Sequence, residues 1–148
     1  MSDRIEKTIE LKAPIDRVWR ALTDPGEFGT WFRVRLDGPF VVGEQTTGQI
    51  TYEGYEHVRW VSRTTVMDEQ RHHLAFTWVH FKDPANPQPD DPSTLVEFRL
   101  APIAGGTRLE LVESGFDAIG EDRRVGILRG NQQGWEMQME NIRAHVEE

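Results

Sequence analysis

The C-terminal segment, residues 121–148, constrains the fold more than any other part of the chain, because it has the pattern of one long amphipathic helix. Its apolar residues recur at spacings of three, four or seven, which is typical of a helix that buries a single face. These residues are Val125, Leu128, Trp135, Met139, Ile142 and Val146. Such a helix needs an apolar partner surface, and the preceding residues have to supply it.

Three glycines spaced four residues apart, Gly126, Gly130 and Gly134, form a second stripe on the same segment. A glycine inside a helix costs about 1 kcal/mol relative to alanine. The stripe therefore suggests that a sheet or a bound molecule approaches the helix backbone closely. In an alternative interpretation the helix begins only near Asn131, and the first two glycines lie in a loop.

The N-terminal part of the chain predicts a strand followed by two short helices. Apolar and polar residues alternate over residues 5–11, as they do in a strand with one buried face. Pro14 is suited to the start of a helix, where its missing N–H costs nothing. Asp24 is suited to cap a second helix, and the side chain of Glu27 is placed to reach back to that cap.

Strand patterns dominate from Arg33 to Ser114. The sequence Ala104-Gly105-Gly106 predicts a hairpin turn, and residues 83–92 form an acidic, proline-rich loop between two strands. The order of elements predicts a single α+β domain, residues 1–148. We expect a curved antiparallel sheet of about six or seven strands, wrapped around the long C-terminal helix.

Composition and charge exclude several classes of function. The chain has 148 residues, a formal net charge of −8 and no cysteine. A negative protein repels a phosphate backbone, so a nucleic-acid partner is not expected. The polar N-terminus, Met1 to Thr8, lacks the features of a secretory signal, and no apolar run approaches the ~20 residues that span a bilayer. We therefore expect a cytoplasmic protein without a membrane span.

Strand register brings two titratable residues together. A hairpin centred on the Ala104–Gly105 turn places Val96 opposite Glu113. A second hairpin, centred on the proline-rich loop, places Trp78 beside Val96 and His80 beside Thr94. Glu113 and His80 then point inwards, because side chains alternate between faces.

A carboxylate and an imidazole at one end of an apolar cavity could polarise a ligand or act as acid and base. In the alternatives, both groups are solvated at the cavity mouth, or Glu113 pairs with an arginine.

Asn131 and Gln132 interrupt the apolar face of the C-terminal helix. Their amides could hydrogen-bond a ligand, or they could lie at the solvated margin of the stripe. Aromatic residues at helical or strand spacing mostly serve packing, and some of them are expected to line a cavity as well. The aromatic residues in question are Trp31, Phe76, Trp78 and Trp135, and the same interpretation applies to the apolar Met139.

A metal site is not predicted, although Glu69, His72, His73 and His80 carry suitable ligand atoms. His72 and His73 are adjacent on a predicted strand and point to opposite faces, whereas zinc needs three or four convergent ligands. No glycine-rich phosphate loop follows a strand and opens a helix. Neither a metal nor another cofactor is therefore predicted.

Several short motifs, taken in their order along the chain, resemble the SRPBCC superfamily, also called START-like or birch-pollen-allergen-like. The branch they resemble most is related to the activator of heat-shock protein 90 ATPase, although Glu113 stands where that branch often has a histidine. The resemblance implies a helix-grip fold over a hydrophobic cavity. The motifs are residues 11–25 (LKAPIDRVWRALTDP), Trp31-Phe32, residues 74–78 (LAFTW), residues 106–111 (GTRLEL), residues 114–116 (SGF) and Gly134-Trp135.

The function predicted from these observations is the binding of an apolar or aromatic, lipid-like small molecule in an internal cavity, rather than catalysis. Two alternatives remain. The resemblance implies either an enzyme similar to polyketide cyclases or a co-chaperone-like module that binds a heat-shock ATPase. For the enzyme, the strand register rather than the resemblance indicates Glu113 and His80 as the reacting groups. The predicted ligand contacts are Trp31, Phe76, Trp78, His80, Leu111, Glu113, Asn131, Trp135 and Met139.

Overall fold

The computed structural model describes residues 4–83 and 85–147. Pro84 of the predicted loop, Glu148 at the predicted helix end and the first three residues of the polar N-terminus lie outside the described residues. Seven strands form one sheet in the order β1-β7-β6-β5-β4-β3-β2, and every pair is antiparallel. The strands are β1 (Ile5–Leu11), β2 (Val34–Leu36), β3 (Gln45–Ile50), β4 (Arg59–Asp68), β5 (His73–Val79), β6 (Ser93–Ile103) and β7 (Gly106–Ser114).

Two short helices follow β1, as predicted: α1 (Ile15–Thr23) and α2 (Pro25–Phe32). The Asp24 side chain caps α2 by accepting a hydrogen bond from the backbone N–H of Glu27 at 2.9 Å. The prediction that the Glu27 side chain also reaches back to this cap is wrong. That side chain accepts hydrogen bonds from two arginines of α1 and lies 3.0 Å from His145, because charged partners compete successfully with a backbone N–H.

The C-terminal helix, α3 (Glu121–Val146), is one continuous helix that includes the three glycines. The interpretation in which it begins near Asn131 is therefore wrong. None of the described helices is both long and apolar enough to cross a membrane. The α+β fold with a seven-stranded sheet, two early helices and a long final helix is confirmed.

The buried face of α3 is shorter than the sequence predicts. Trp135, Met139, Ile142 and Val146 are buried, whereas Val125 is 62% exposed. At 3.6 residues per turn, Val125 lies roughly 65° around the helix from the mean direction of the other apolar residues. It therefore falls at the margin of the stripe and remains in solvent.

The glycine stripe faces open space and does not touch the sheet. A methyl group added at Gly126, Gly130 or Gly134 would meet no atom within 4 Å. The predicted close approach of a sheet is therefore wrong. The alternative, a bound molecule beside the helix backbone, depends on what surrounds these glycines in the site described below.

Candidate functional site

The site is built around Glu113, an acidic side chain with no exposed surface. Glu113 lies in β7 opposite Val96 of β6, in the register predicted from the two-residue turn at Ala104–Gly105. Leu111, two residues earlier on the same face, is also fully buried. Because a buried carboxylate without hydrogen bonds is costly, its partners decide what the site can do.

Four side chains donate hydrogen bonds to the two carboxylate oxygens of Glu113. Nε1 of Trp135 lies 2.9 Å from Oε1, and Nε1 of Trp78 lies 2.7 Å from Oε2. The hydroxyl oxygen of Thr94 lies 2.5 Å from Oε2. The amide nitrogen of Asn131 lies 3.0 Å from Oε1 and 3.2 Å from Oε2. Each oxygen accepts at least two hydrogen bonds, so the carboxylate is saturated.

These hydrogen bonds keep Glu113 ionised. Burial by itself raises the pKa of the carboxyl group, because removal from water disfavours the charged form. The nearby imidazole of His80 and the hydrogen bonds from Thr94, Trp135 and Trp78 outweigh burial and hold the pKa below the ordinary glutamate value of 4.5. Near neutral pH, Glu113 is therefore a charged group that can only accept hydrogen bonds.

His80 approaches the same carboxylate from the end of β5. Its Nε2 atom lies 2.8 Å from the hydroxyl oxygen of Thr94 and 3.5 Å from Oε2 of Glu113. The structure thus brings the predicted imidazole and carboxylate together. The alternative of a solvated Glu113 is wrong, and so is that of an arginine partner, since its partners are two indoles, an amide, a hydroxyl and an imidazole.

The predicted register between β5 and β6 is wrong by two residues. Trp78 lies opposite Thr94, and Phe76 lies opposite Val96. A long loop does not fix register as a two-residue turn does, so the position of its centre was not determined by the sequence. A slip of two residues nevertheless keeps every side chain on the predicted face, which is why Trp78 still points towards Glu113.

Aromatic rings surround the carboxylate and occupy the space beneath α3. The rings of Trp78 and Trp135 stack with centroids 5.6 Å apart. Trp60 lies 5.3 Å and Phe32 lies 6.0 Å from Trp78, measured between ring centroids. The indole N–H groups that hold Glu113 therefore belong to rings that are themselves held by packing.

A groove of about 470 Å³, open on one side, runs along α3 beside this cluster. We call it the helix groove. Tyr52 and Tyr55 of the β3–β4 connection contribute one side of it. Gly130, Gly134 and Met137 contribute the helix side, and the lining also includes Trp78, Phe32 and Gln138. Two of the three open glycines thus belong to this groove.

A smaller recess of about 170 Å³ continues the helix groove towards the end of β5. We call it the His80 recess. Trp78, Ile50 and Val58 line both spaces, whereas His80 and Asn131 line the recess alone. A molecule that lies across Trp78 can therefore contact both.

Six of the nine predicted ligand contacts line neither space. Two of them are Glu113 and Trp135, which are buried and hydrogen-bonded to each other, and the other four pack in the core. Phe76, Leu111 and Met139 are buried there. The indole N–H of Trp31 donates to the backbone carbonyl of Ala21 at 2.8 Å, which joins α2 to α1.

Sequence reasoning missed several residues that line the helix groove or complete the site. Tyr52 and Tyr55, the two tyrosines of the chain, flank a polar loop that contains Gly54, and their pairing was the available signal. Thr94 was placed beside His80 but was given no role. No sequence signal marked Met137 or Gln138, because they lie outside the apolar stripe of α3.

The fold and the site define a class of protein: a helix-grip α+β domain with an aromatic groove beside its final helix. Residues 12–147 match the family model described as activator of Hsp90 ATPase homolog 1-like protein, and the chain belongs to that family. Among curated proteins, none matches this sequence.

Solved structures with the same fold cover nearly the whole chain. Protein MLL2253 from Mesorhizobium loti is 23% identical over 97% of this chain and 96% of its own, with a TM-score of 0.76. DynU16, from the dynemicin biosynthetic locus, is 19% identical over 99% of this chain and 48% of its own, with a TM-score of 0.76. The Aha1 dimer from Colwellia psychrerythraea is 16% identical over 98% of this chain and 96% of its own, with a TM-score of 0.74.

Proposed function

We propose that this protein binds a small apolar or aromatic molecule in the helix groove. The observation that carries the proposal is the pairing of open glycines with aromatic side chains across one groove. Gly130 and Gly134 leave the backbone of α3 uncovered, while Tyr52, Tyr55 and Trp78 supply flat apolar surface. A planar ring can lie against such a surface and exclude water from it.

The size of the helix groove supports this proposal. Its volume of about 470 Å³ falls in the range of roughly 300–1,000 Å³ that is typical of small-molecule sites. The side chain of Gln133 adds a polar group to an otherwise apolar lining, whereas the amide of Gln138 already hydrogen-bonds the carbonyl oxygen of Phe32 and the side chain of Asn141. Desolvation of the ligand supplies the affinity, and Gln133 helps to orient the ligand. The place of DynU16 in a biosynthetic locus is in keeping with a small-molecule ligand.

An enzyme that uses Glu113 directly as acid or base is less well supported. The side chain has no exposed surface, and both of its oxygens already accept hydrogen bonds. A general base must come within about 3 Å of the proton that it removes. Glu113 could do so only if the indoles of Trp78 and Trp135 moved aside.

An interaction module in the manner of a heat-shock ATPase activator would need an apolar docking surface on the outer face of the sheet. The family description and the dimeric neighbour raise this alternative. In the described part of the chain, none of the exposed large apolar side chains belongs to a sheet strand. They are Val41, Val42, Tyr55, Val125 and Met137.

An NMR titration of the ¹⁵N-labelled protein with 2-naphthol tests the proposal. We expect saturable shifts of the backbone amides of Tyr52, Tyr55, Gly130 and Gly134, and little change in β1. If no amide shifts up to the solubility limit of the probe, or if the shifts map to the outer face of the sheet, the proposed function is wrong.

Alanine variants of the glycine stripe provide a sharper test. Gly130→Ala and Gly134→Ala should each stabilise the protein by about 0.5–1 kcal/mol, since the new methyl group meets no atom and alanine favours a helix. The same methyl group should project into the groove and weaken 2-naphthol binding.

Gly126→Ala is the matched control, because Gly126 is equally open but does not line the groove. It should stabilise the protein to a similar extent and leave binding unchanged. Stability is measured by urea unfolding and binding by the same titration. Equal binding by all three variants would place the ligand elsewhere.

A further inference from the structure

Glu113 orients the polar groups of the His80 recess although it does not reach the recess itself. The ionised carboxylate accepts hydrogen bonds and cannot donate one, so each of its neighbours must turn a hydrogen atom towards it. For Thr94 this uses the single hydroxyl hydrogen, in the 2.5 Å contact to Oε2. For Asn131 it uses the amide NH₂, in the contacts of 3.0 and 3.2 Å.

The orientation of Thr94 determines the tautomer of His80. The Thr94 hydroxyl has already donated its hydrogen to Glu113, so its oxygen can only accept from Nε2 of His80, 2.8 Å away. Nε2 therefore carries the hydrogen. In the neutral ring the other nitrogen, Nδ1, then has a free lone pair.

The same constraint applies to Asn131. Because its NH₂ group faces the carboxylate, its carbonyl oxygen Oδ1 faces away. Among the described residues, neither Nδ1 of His80 nor Oδ1 of Asn131 has a hydrogen-bond partner. Both atoms keep some solvent-accessible surface. Both residues line the His80 recess. The recess thus offers two free acceptors.

We infer that the His80 recess selects ligands that carry a hydrogen-bond donor, such as a phenolic or enolic hydroxyl, at the end of an apolar ring system. This inference rests on the proposed function and specifies the class of ligand. The ring system would lie in the helix groove across Trp78, and its hydroxyl would donate to Nδ1 of His80 or Oδ1 of Asn131. Arg59 also lines the recess and would instead favour an anionic group.

Three probes of similar shape separate these possibilities at pH 8, where histidine side chains in general are neutral. They are 2-naphthol, which has a hydroxyl donor, 2-methylnaphthalene, which has none, and 2-naphthoate, which is an anion. We expect 2-naphthol to bind about fivefold to tenfold more tightly than 2-methylnaphthalene, the gain typical of one hydrogen bond. We expect 2-naphthoate to bind more weakly than 2-naphthol.

His80→Phe and Asn131→Leu should each reduce the preference for 2-naphthol and leave the affinity for 2-methylnaphthalene nearly unchanged. The matched control is His73→Phe, because His73 begins β5, the strand that His80 directly follows, but its ring contacts Glu97 outside the recess. This control variant should keep the preference for 2-naphthol.

Equal binding of 2-naphthol and 2-methylnaphthalene by the parent protein overturns the inference but leaves the proposed function standing. Tightest binding of 2-naphthoate also overturns it, whereas failure of all three probes removes the proposed function as well.

A measurement without ligand tests the same geometry. ¹⁵N-resolved NMR spectra of the His80 imidazole at pH 8 should show the Nε2–H tautomer. The Nδ1–H tautomer would overturn the inference, since Nδ1 would then be a donor.

Discussion

Glu113 holds two indoles, an amide and a hydroxyl in place around one buried charge. Glu113→Gln keeps the shape but replaces one acceptor oxygen with an NH₂ group that faces other donors. We expect the free energy of unfolding to fall by about 2–4 kcal/mol, in the range for buried groups that lose a charged partner. Urea denaturation measures this change.

Glu110→Gln is the control for this substitution. Glu110 lies in the same strand, and its side chain is 48% exposed beside Arg108. We expect a change of less than about 0.5 kcal/mol, as is usual for exposed ion pairs. Equal effects of the two substitutions would mean that the buried hydrogen bonds of Glu113 contribute nothing to stability.

The same residue makes stability depend on pH. The pKa of Glu113 is lowered in the folded protein, so its contribution to stability is complete above the ordinary glutamate value of 4.5 and is lost as the pH falls through the lower folded value. The carboxyl groups of Glu27 and Asp91 also have lowered pKa values and act in the same direction.

Comparison of the parent protein with Glu113→Gln isolates the part due to Glu113. The destabilisation caused by the substitution should be largest near neutral pH and should shrink as the pH falls below 4.5. Urea unfolding over a series of pH values measures it. A destabilisation that stays constant down to pH 3 would contradict an ionised Glu113.

At the scale of elements, glycines in strands and in α3 have opposite effects. A methyl group at Gly106, the first residue of β7, would collide with the carbonyl oxygen of Leu11 at the end of β1. The backbone cannot yield there without loss of the β1–β7 pairing. We therefore expect Gly106→Ala to destabilise the protein by about 2 kcal/mol or more, the cost typical of forced overlap.

Gly38→Ala serves as the matched substitution, because a methyl group at Gly38 meets no atom within 4 Å. It should change the free energy of unfolding by less than about 0.5 kcal/mol. Thermal or urea unfolding compares the two variants. Similar stabilities would show that β1 does not approach β7 as closely as described.

At the scale of the whole molecule, α3 is anchored at one end. Trp135, Met139, Ile142 and Val146 are buried, whereas the first turns of the helix, residues 121–130, are half-buried or exposed. Amide hydrogen exchange should therefore be faster over residues 121–130 than over residues 135–146, since local opening follows the density of buried contacts. Uniform protection along α3 would contradict this expectation. Exchange is measured by NMR, and a second measurement with 2-naphthol shows whether a ligand slows exchange over residues 121–130.

Much of the fold and part of the site follow from local patterns. Period-two alternation placed Glu113, Leu111 and Trp78 on the inner face, and the two-residue turn at Ala104–Gly105 set the register of β6 against β7 correctly. Alternation is a property of neighbouring residues, so it survives even a two-residue error in the pairing of Trp78. The length of α3 followed from spacing in the same way.

The sequence by itself determined the elements, their order and the inward direction of Glu113. The tertiary structure alone decided that this carboxylate is fully enclosed, because its donors come from Trp78, Thr94, Asn131 and Trp135, which no local pattern links. The tertiary structure also decided that the glycine stripe faces an open groove, because the residues opposite α3 belong to loops that are distant in the sequence. Hydrogen bonding and packing act between residues far apart in the chain, whereas periodicity reports only on neighbours.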